Sequence, residues 1–337
     1  MWTKTALGVA ALVLAGGVVW LVAHNGRHDS NTVELLNVSY DPTRELWREL
    51  NAAFVDEYEQ ETGVRLTIRQ SHGGSTSQAG AVIHGLEADV VTLALWSDTD
   101  VLRKHHLIRD GWEKRPPNGL PYYSTIVFVV RGGNPKGIHD WPDLTQPGVQ
   151  IITPNPKTSG NGRLSFLAAW GSVGYRGGTE DEARAFVSQL YKQVPVLDSG
   201  ARGATTTFAQ KKIGDVHLAW ENEAFLEVAE SKGALEIVYP SASLKAEPYV
   251  AVVDANVDRR GMRAAAEAYL RSLYTLKAQE IIAKHHYRPV DDAVLKEHPE
   301  LRPLPLFTIQ TIARDWDEAQ ERFFATGALF DQTYRPY

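Results

Sequence analysis

The chain has 337 residues, 43% hydrophobic and 23% charged, enough to bury a substantial core and, by length, to form about two domains. A net charge of −6 with no basic block or basic–aromatic stripe argues against nucleic acid as a partner. The absence of cysteine excludes disulfides, Cys-type zinc sites and thiol catalysis, and is compatible with an oxidising compartment.

Met1-Trp2-Thr3-Lys4 is followed by an uncharged, mainly apolar run over residues 5–23, then by polar Asn25, Arg27, His28, Asp29, Ser30 and Asn31. A basic start, an apolar middle and a polar exit describe an export signal. The run is also just long enough to span a bilayer, so the segment is either cleaved after Leu21-Val22-Ala23 or kept as an anchor. In a bacterial cell either outcome puts the body of the protein outside the cytoplasmic membrane. Residues 1–31 are therefore set apart from the fold.

The remainder alternates strands with helices, an α/β pattern. Residues 33–38 read as a strand. Asp41 is then placed to cap a helix with Pro42 at its first position and Leu46, Leu50, Ala53, Phe54 and Tyr58 on its apolar face. A second strand, residues 64–68, leads into Gln70-Ser71-His72-Gly73-Gly74-Ser75-Thr76-Ser77, a Gly/Ser-rich turn before a helix carrying Ala79, Val82, Ile83 and Leu86. Residues 88–95 form a compact, buried β-type run. Residues 123–130 are the strongest strand pattern, suited to a core strand or to a crossing between lobes.

The pattern then repeats. A strand at 149–152 precedes Thr153-Pro154-Asn155-Pro156-Lys157-Thr158-Ser159-Gly160-Asn161-Gly162-Arg163 and a helix. A strand at 194–197 precedes Asp198-Ser199-Gly200-Ala201-Arg202-Gly203 and a helix over 205–212. Residues 216–223 read as a strand that delivers Trp220, Glu221 and Glu223 to its end. Residues 246–253 are a candidate return crossing. The rest is helical, ending in a helix over about 309–324.

Four helix starts after strands carry this chemistry: Asp41, Gly74-Ser75, Ser159-Gly160 and Gly200-Ala201. First-turn N–H groups lack intrahelical acceptors, and the aligned peptide dipoles put partial positive charge there. Oxyanions suit such sites, and ligands of α/β sheets sit beyond the carboxyl ends of the strands. If two halves face each other, these donors converge without any full positive charge.

Leu35-Leu36-Asn37-Val38-Ser39-Tyr40-Asp41-Pro42-Thr43-Arg44-Glu45-Leu46, Gln70-Ser71-His72-Gly73-Gly74-Ser75, Thr153-Pro154-Asn155-Pro156-Lys157, Leu197-Asp198-Ser199-Gly200-Ala201-Arg202-Gly203 and Ala219-Trp220-Glu221-Asn222-Glu223-Ala224 closely resemble the sulfate-binding proteins of bacterial ABC importers. The resemblance implies a two-lobed periplasmic-binding-protein fold of type II with two or three hinge strands. Lobe 1 is expected over 32–123 with 250–337, and lobe 2 over 124–249. It implies sulfate contacts from the N–H groups of Asp41, Ser75, Gly160, Asn161 and Ala201, the Ser159 hydroxyl and the Trp220 indole, with His72, Gly74 and Arg202 in support. Where the family has Gly, this chain has Asn161, which keeps the donor and tolerates a left-handed backbone better than most residues. The resemblance further implies a periplasmic monomer that serves a membrane ABC permease, with no cofactor, no metal and no catalysis. Thiosulfate or another tetrahedral oxyanion is the alternative ligand.

An enzyme reading is the alternative from another class: His72 near Ser75, with Asp41, Asp198 or Glu221 as carboxylate, suggests a secreted hydrolase of sulfated or phosphorylated compounds. The GxSxG, GxxxxGK[ST] and HExxH patterns are all absent.

Overall fold

The computed structural model describes residues 32–115 and 118–334. The export segment falls outside them. The described chain forms two α/β lobes, each a sheet flanked by helices.

Lobe 1 is built on β1 (Thr32–Tyr40), β2 (Arg65–Gly73) and β3 (Val90–Leu93), in parallel, with a later antiparallel strand beside β3. Helices α1 (Arg44–Thr62), α2 (Ser75–Ile83) and α3 (Trp96–Lys104) follow β1, β2 and β3 in turn. β2 runs further than its sequence pattern suggests. Gln70-Ser71-His72-Gly73 is strand, paired residue for residue with β1 up to Tyr40↔Gly73. Ladder hydrogen bonding there overrides the turn chemistry of Gly and Ser, and the turn shrinks to Gly74.

The expected strong strand is split into β4 (Tyr122–Tyr123) and β5 (Ile126–Arg131). Lobe 2 then adds β6 (Ile151–Pro154), α4 (Gly160–Tyr175), α5 (Glu180–Tyr191), β7 (Leu197–Asp198), α6 (Ala201–Thr205), β8 (Val216–Trp220), α7 (Glu221–Glu230) and β9 (Leu235–Val238). Its sheet order is β7-β6-β8-β5-β9. α6 continues into a wider turn over Thr206–Gln210. The acids after Trp220 open α7 and do not extend the strand.

After β10 (Ser243–Leu244) the chain returns to lobe 1 as β11 (Tyr249–Val252), the edge strand beside β3. α8 (Asp254–Arg260), α9 (Arg263–Ser272) and α10 (Leu276–Lys284) follow. The two crossings are tied at Ser124 and Ala246, which exchange both backbone hydrogen bonds at 2.9 Å. A third crossing leaves β12 (Arg288–Pro289), paired with β4, and reaches β13 (Leu306–Phe307), paired with β10.

The tail departs from the sequence expectation. Phe307, Ile309, Ile312, Phe323, Phe324, Leu329 and Phe330 join the core of lobe 2, around Phe166 and Tyr191. The span 250–337 therefore does not lie wholly on lobe 1. The physical reason is the aromatic content of the tail, which fills the space over α4 and α5. The expected helix over 309–324 is broken into short turns, with a helical piece only at Trp316–Ala319 before the wide turn Gln320–Phe324.

Candidate functional site

The carboxyl ends of β1, β2, β6, β7 and β8 lie toward the seam between the lobes; β1, β2, β7 and β8 lead directly or within a short turn into helical starts, and β6 leads through the loop 155–159 into α4. The lobes are closed upon one another. A Cβ built on Gly74 falls 2.5 Å from the Thr158 carbonyl oxygen and 3.2 Å from that of Ser199. One built on Gly160 falls 2.4 Å from the Ala94 Cβ. Only glycine lets the backbones approach so closely. Tyr40 of lobe 1 packs on Trp220 of lobe 2, ring centroids 5.3 Å apart.

Each expected donor sits at this seam. Ser75 is the first residue of α2, and Gly160 and Asn161 are the first two of α4. Ala201 opens α6. Ser75, Ser159, Asn161, Ala201 and Trp220 are all buried. By helix geometry the N–H groups of Ser75, Gly160, Asn161 and Ala201 have no intrahelical acceptor. The Ser159 oxygen caps α4 by accepting from the Gly162 N–H, which leaves its own proton free to donate. The Trp220 Nε1–H is buried without a hydrogen-bond partner. A buried indole N–H that lacks an acceptor costs free energy, so it marks a place where an acceptor is expected.

Two residues behave differently from their sequence reading. Asp41 does not cap α1. Tyr40 precedes a 3-10 turn over Asp41–Thr43, α1 starts at Arg44, and the Asp41 carboxylate pairs with Arg44 at 2.9 Å. The nearby cation competes successfully for the carboxylate, and the Asp41 backbone N–H still opens a turn. Asn161 needs no left-handed backbone: it is an ordinary helical residue whose Nδ2 donates to the Leu218 carbonyl at 3.0 Å. That bond ties the start of α4 to β8, two residues before Trp220.

The charges around the seam are neutralised in pairs. Arg163 Nη1 donates across the cleft to Asp98 at 3.0 Å, and both side chains are under a tenth exposed. Arg202 lies 3.1 Å from Glu45 of lobe 1 and 3.3 Å from Glu223 beneath it. What remains for a ligand is the set of neutral donors. Ala94, Asp98, Arg163, Glu45 and Glu223 were not singled out as site residues in the sequence. Arg163 closes one of the motifs, and a cation in a polar turn was the one signal for it.

The hydrolase reading fails on geometry. The Ser75 hydroxyl donates to Asp98 Oδ2 at 2.6 Å and accepts from the Ala94 N–H at 2.9 Å. No imidazole holds it, and it serves to brace α2 against α3. His72 is half-buried on β2 with Nδ1 unpartnered, and burial pulls its pKa down, with Arg44 adding to the effect. His285 contacts Glu49 at 2.8 Å and His286 stacks on Phe225, so neither serves a nucleophile.

Two lobes that meet at a buried seam lined by helix starts define a receptor for a small solute, with neutral donors that suit an anion. The chain belongs to the bacterial extracellular solute-binding proteins, whose family model matches residues 46–288. It is 54% identical over 304 residues to the sulfate-binding protein of Salmonella typhimurium, covering 89% of this chain and 92% of that one. It is 46% identical over 331 residues to the thiosulfate-binding protein of Pseudomonas aeruginosa, covering 97% and 98%. Among solved structures, the sulfate-binding protein SubI from Mycobacterium tuberculosis overlays with a TM-score of 0.79 at 32% identity, covering 87% of this chain and 99% of that one.

Proposed function

We propose that this protein captures the sulfate dianion between its lobes, outside the cytoplasmic membrane, and delivers it to a membrane ABC permease. The observation that carries the reading is the buried, uncharged convergence of helix starts beside an indole N–H that has no protein acceptor. In this reading the N–H groups of Asp41, Ser75, Gly160, Asn161 and Ala201, the Ser159 hydroxyl and Trp220 Nε1 hold the anion. Gly74 permits the close approach of the lobes, Arg202 ties them together, and His72 lies behind Asp41. The segment 1–31 exports the protein to the periplasm, cleaved or kept as an anchor, and the receptor acts as a monomer. It performs no chemistry on its ligand.

Sulfate is fully ionised at neutral pH and only accepts hydrogen bonds. Phosphate keeps a proton there, and a wall made of donors offers it no acceptor. One such mismatch costs about 1–3 kcal/mol, about 5- to 150-fold in affinity, and more with charge. Thiosulfate is the second reading, favoured by the relative named for it. Closure on the anion is the signal a permease reads. Tryptophan fluorescence titration with sulfate and with thiosulfate tests the reading. A saturable change that is lost in Trp220→Phe supports it; no response to either anion contradicts it.

A further inference from the structure

A buried polar relay lies behind α6, and its consequence for ligand capture rests on the sulfate reading above. It starts on lobe 1 at Glu45 and passes through Arg202 to Glu223. The Thr205 hydroxyl lies 3.3 Å from Glu223 Oε2 and 2.9 Å from Glu227 Oε1. His217 Nδ1 stands 2.8 Å from Glu227 Oε1. Glu223, Glu227 and His217 are at most 2% exposed. One hydroxyl proton cannot serve two carboxylates at once, and two buried carboxylates this close resist being ionised together.

Burial is the main force on Glu223 and raises its pKa to about 8; Arg202 opposes it, while Glu227 and Glu45 add to it. The groups that face Glu223 are therefore Arg202 and Thr205 on α6, Glu227 on α7, Glu45 on α1, and Tyr287 after α10, with His217 on β8 one step further. A surface cavity of about 470 Å³, lined by Thr205, Glu227, Arg131 and Glu230, gives solvent protons a way to the inner end of the relay.

We propose that Glu223 is a positioning residue for anion capture: protonated, it leaves Arg202 to pair with Glu45 across the cleft; ionised, it draws Arg202 back into lobe 2 and weakens closure. The coupling is reciprocal. Closure brings Glu45 and the bound dianion near Arg202, and both negative charges favour a proton on Glu223. Binding therefore takes up a proton when Glu223 is ionised beforehand. Affinity is full below the pH at which the anion-free protein releases that proton, and falls above it. Sulfate does not titrate in this range, so the dependence belongs to the protein.

The test is calorimetric titration of the full chain with sulfate between about pH 6.5 and about pH 9.5, in buffers of different ionisation enthalpy. The wild type is expected to lose about threefold to tenfold in affinity across that span, with net proton uptake near its upper half. Glu223→Gln is expected to give a flat profile without uptake. A flat wild-type profile, or a decline that persists in Glu223→Gln, overturns the proposal. If that variant does not fold, the buffer dependence of the wild type decides: no proton uptake near about pH 8 overturns it. No sulfate heat at any pH overturns the sulfate reading itself, and the proposal with it.

Discussion

The ion pairs that cross the cleft run one way. Lobe 1 brings the carboxylates of Glu45 and Asp98; lobe 2 brings the guanidinium groups of Arg202 and Arg163. The donors are unevenly divided as well. Lobe 1 offers the starts at Asp41 and Ser75, whereas lobe 2 offers Ser159, Gly160, Asn161, Ala201 and Trp220. Lobe 2 thus supplies both cations of the cross-cleft pairs and most of the neutral donors. Carboxylates of lobe 1 meet those arginines across the seam, and the neutral donors lie beside them. In the proposed function the full charges hold the lobes together and the neutral donors select the ligand.

The division of labour can be broken most strongly where the walls touch. Gly160→Ala places a methyl 2.4 Å from the Ala94 Cβ, so the lobes cannot close fully. With overpacking at the upper end of its usual cost, sulfate affinity should fall about 100-fold by calorimetry. Adding Ala94→Gly should return much of the loss, because the clash is with that methyl. If it does not, the methyl contact is not what sets closure.

Trp220→Phe keeps the ring against Tyr40 but deletes the N–H. A hydrogen bond to a charged group contributes about 1.5–3 kcal/mol, so affinity should drop about 10- to 100-fold with little change in melting temperature. A loss of stability without a loss of affinity would make Trp220 a core residue only.

Ser75→Ala should have the smallest effect on binding, less than about tenfold, because the backbone donor remains. It should instead lower the melting temperature by a few degrees, since two buried bonds to Asp98 and Ala94 are lost, each about 1 kcal/mol. A loss of affinity as large as that of Trp220→Phe would mean that the Ser75 hydroxyl itself meets the anion.

The junctions of strand, polar turn and helix were legible in the sequence because capping chemistry and apolar periodicity are local. All of the expected donors lie at helix starts or strand ends facing one seam. One misreading is local, the Asp41 carboxylate being taken by Arg44 in the next turn; the larger ones come from contacts between segments far apart in the chain. Pairing with β1 turned Gln70-Ser71-His72-Gly73 into strand, and packing on Phe166 and Tyr191 drew the tail to lobe 2. The Asp98–Arg163 and Glu45–Arg202 pairs span 65 and 157 residues, so local spacing carried no trace of them. Arg202 lies between two carboxylates, Glu45 of lobe 1 and Glu223 of lobe 2.

The most direct test of a donor-only cleft is parallel calorimetry with sulfate and phosphate near neutral pH, where phosphate retains a proton. The account predicts tight, stoichiometric sulfate binding and phosphate binding weaker by about 100-fold or more. Phosphate binding of comparable strength would mean that an acceptor lines the site, and would contradict it.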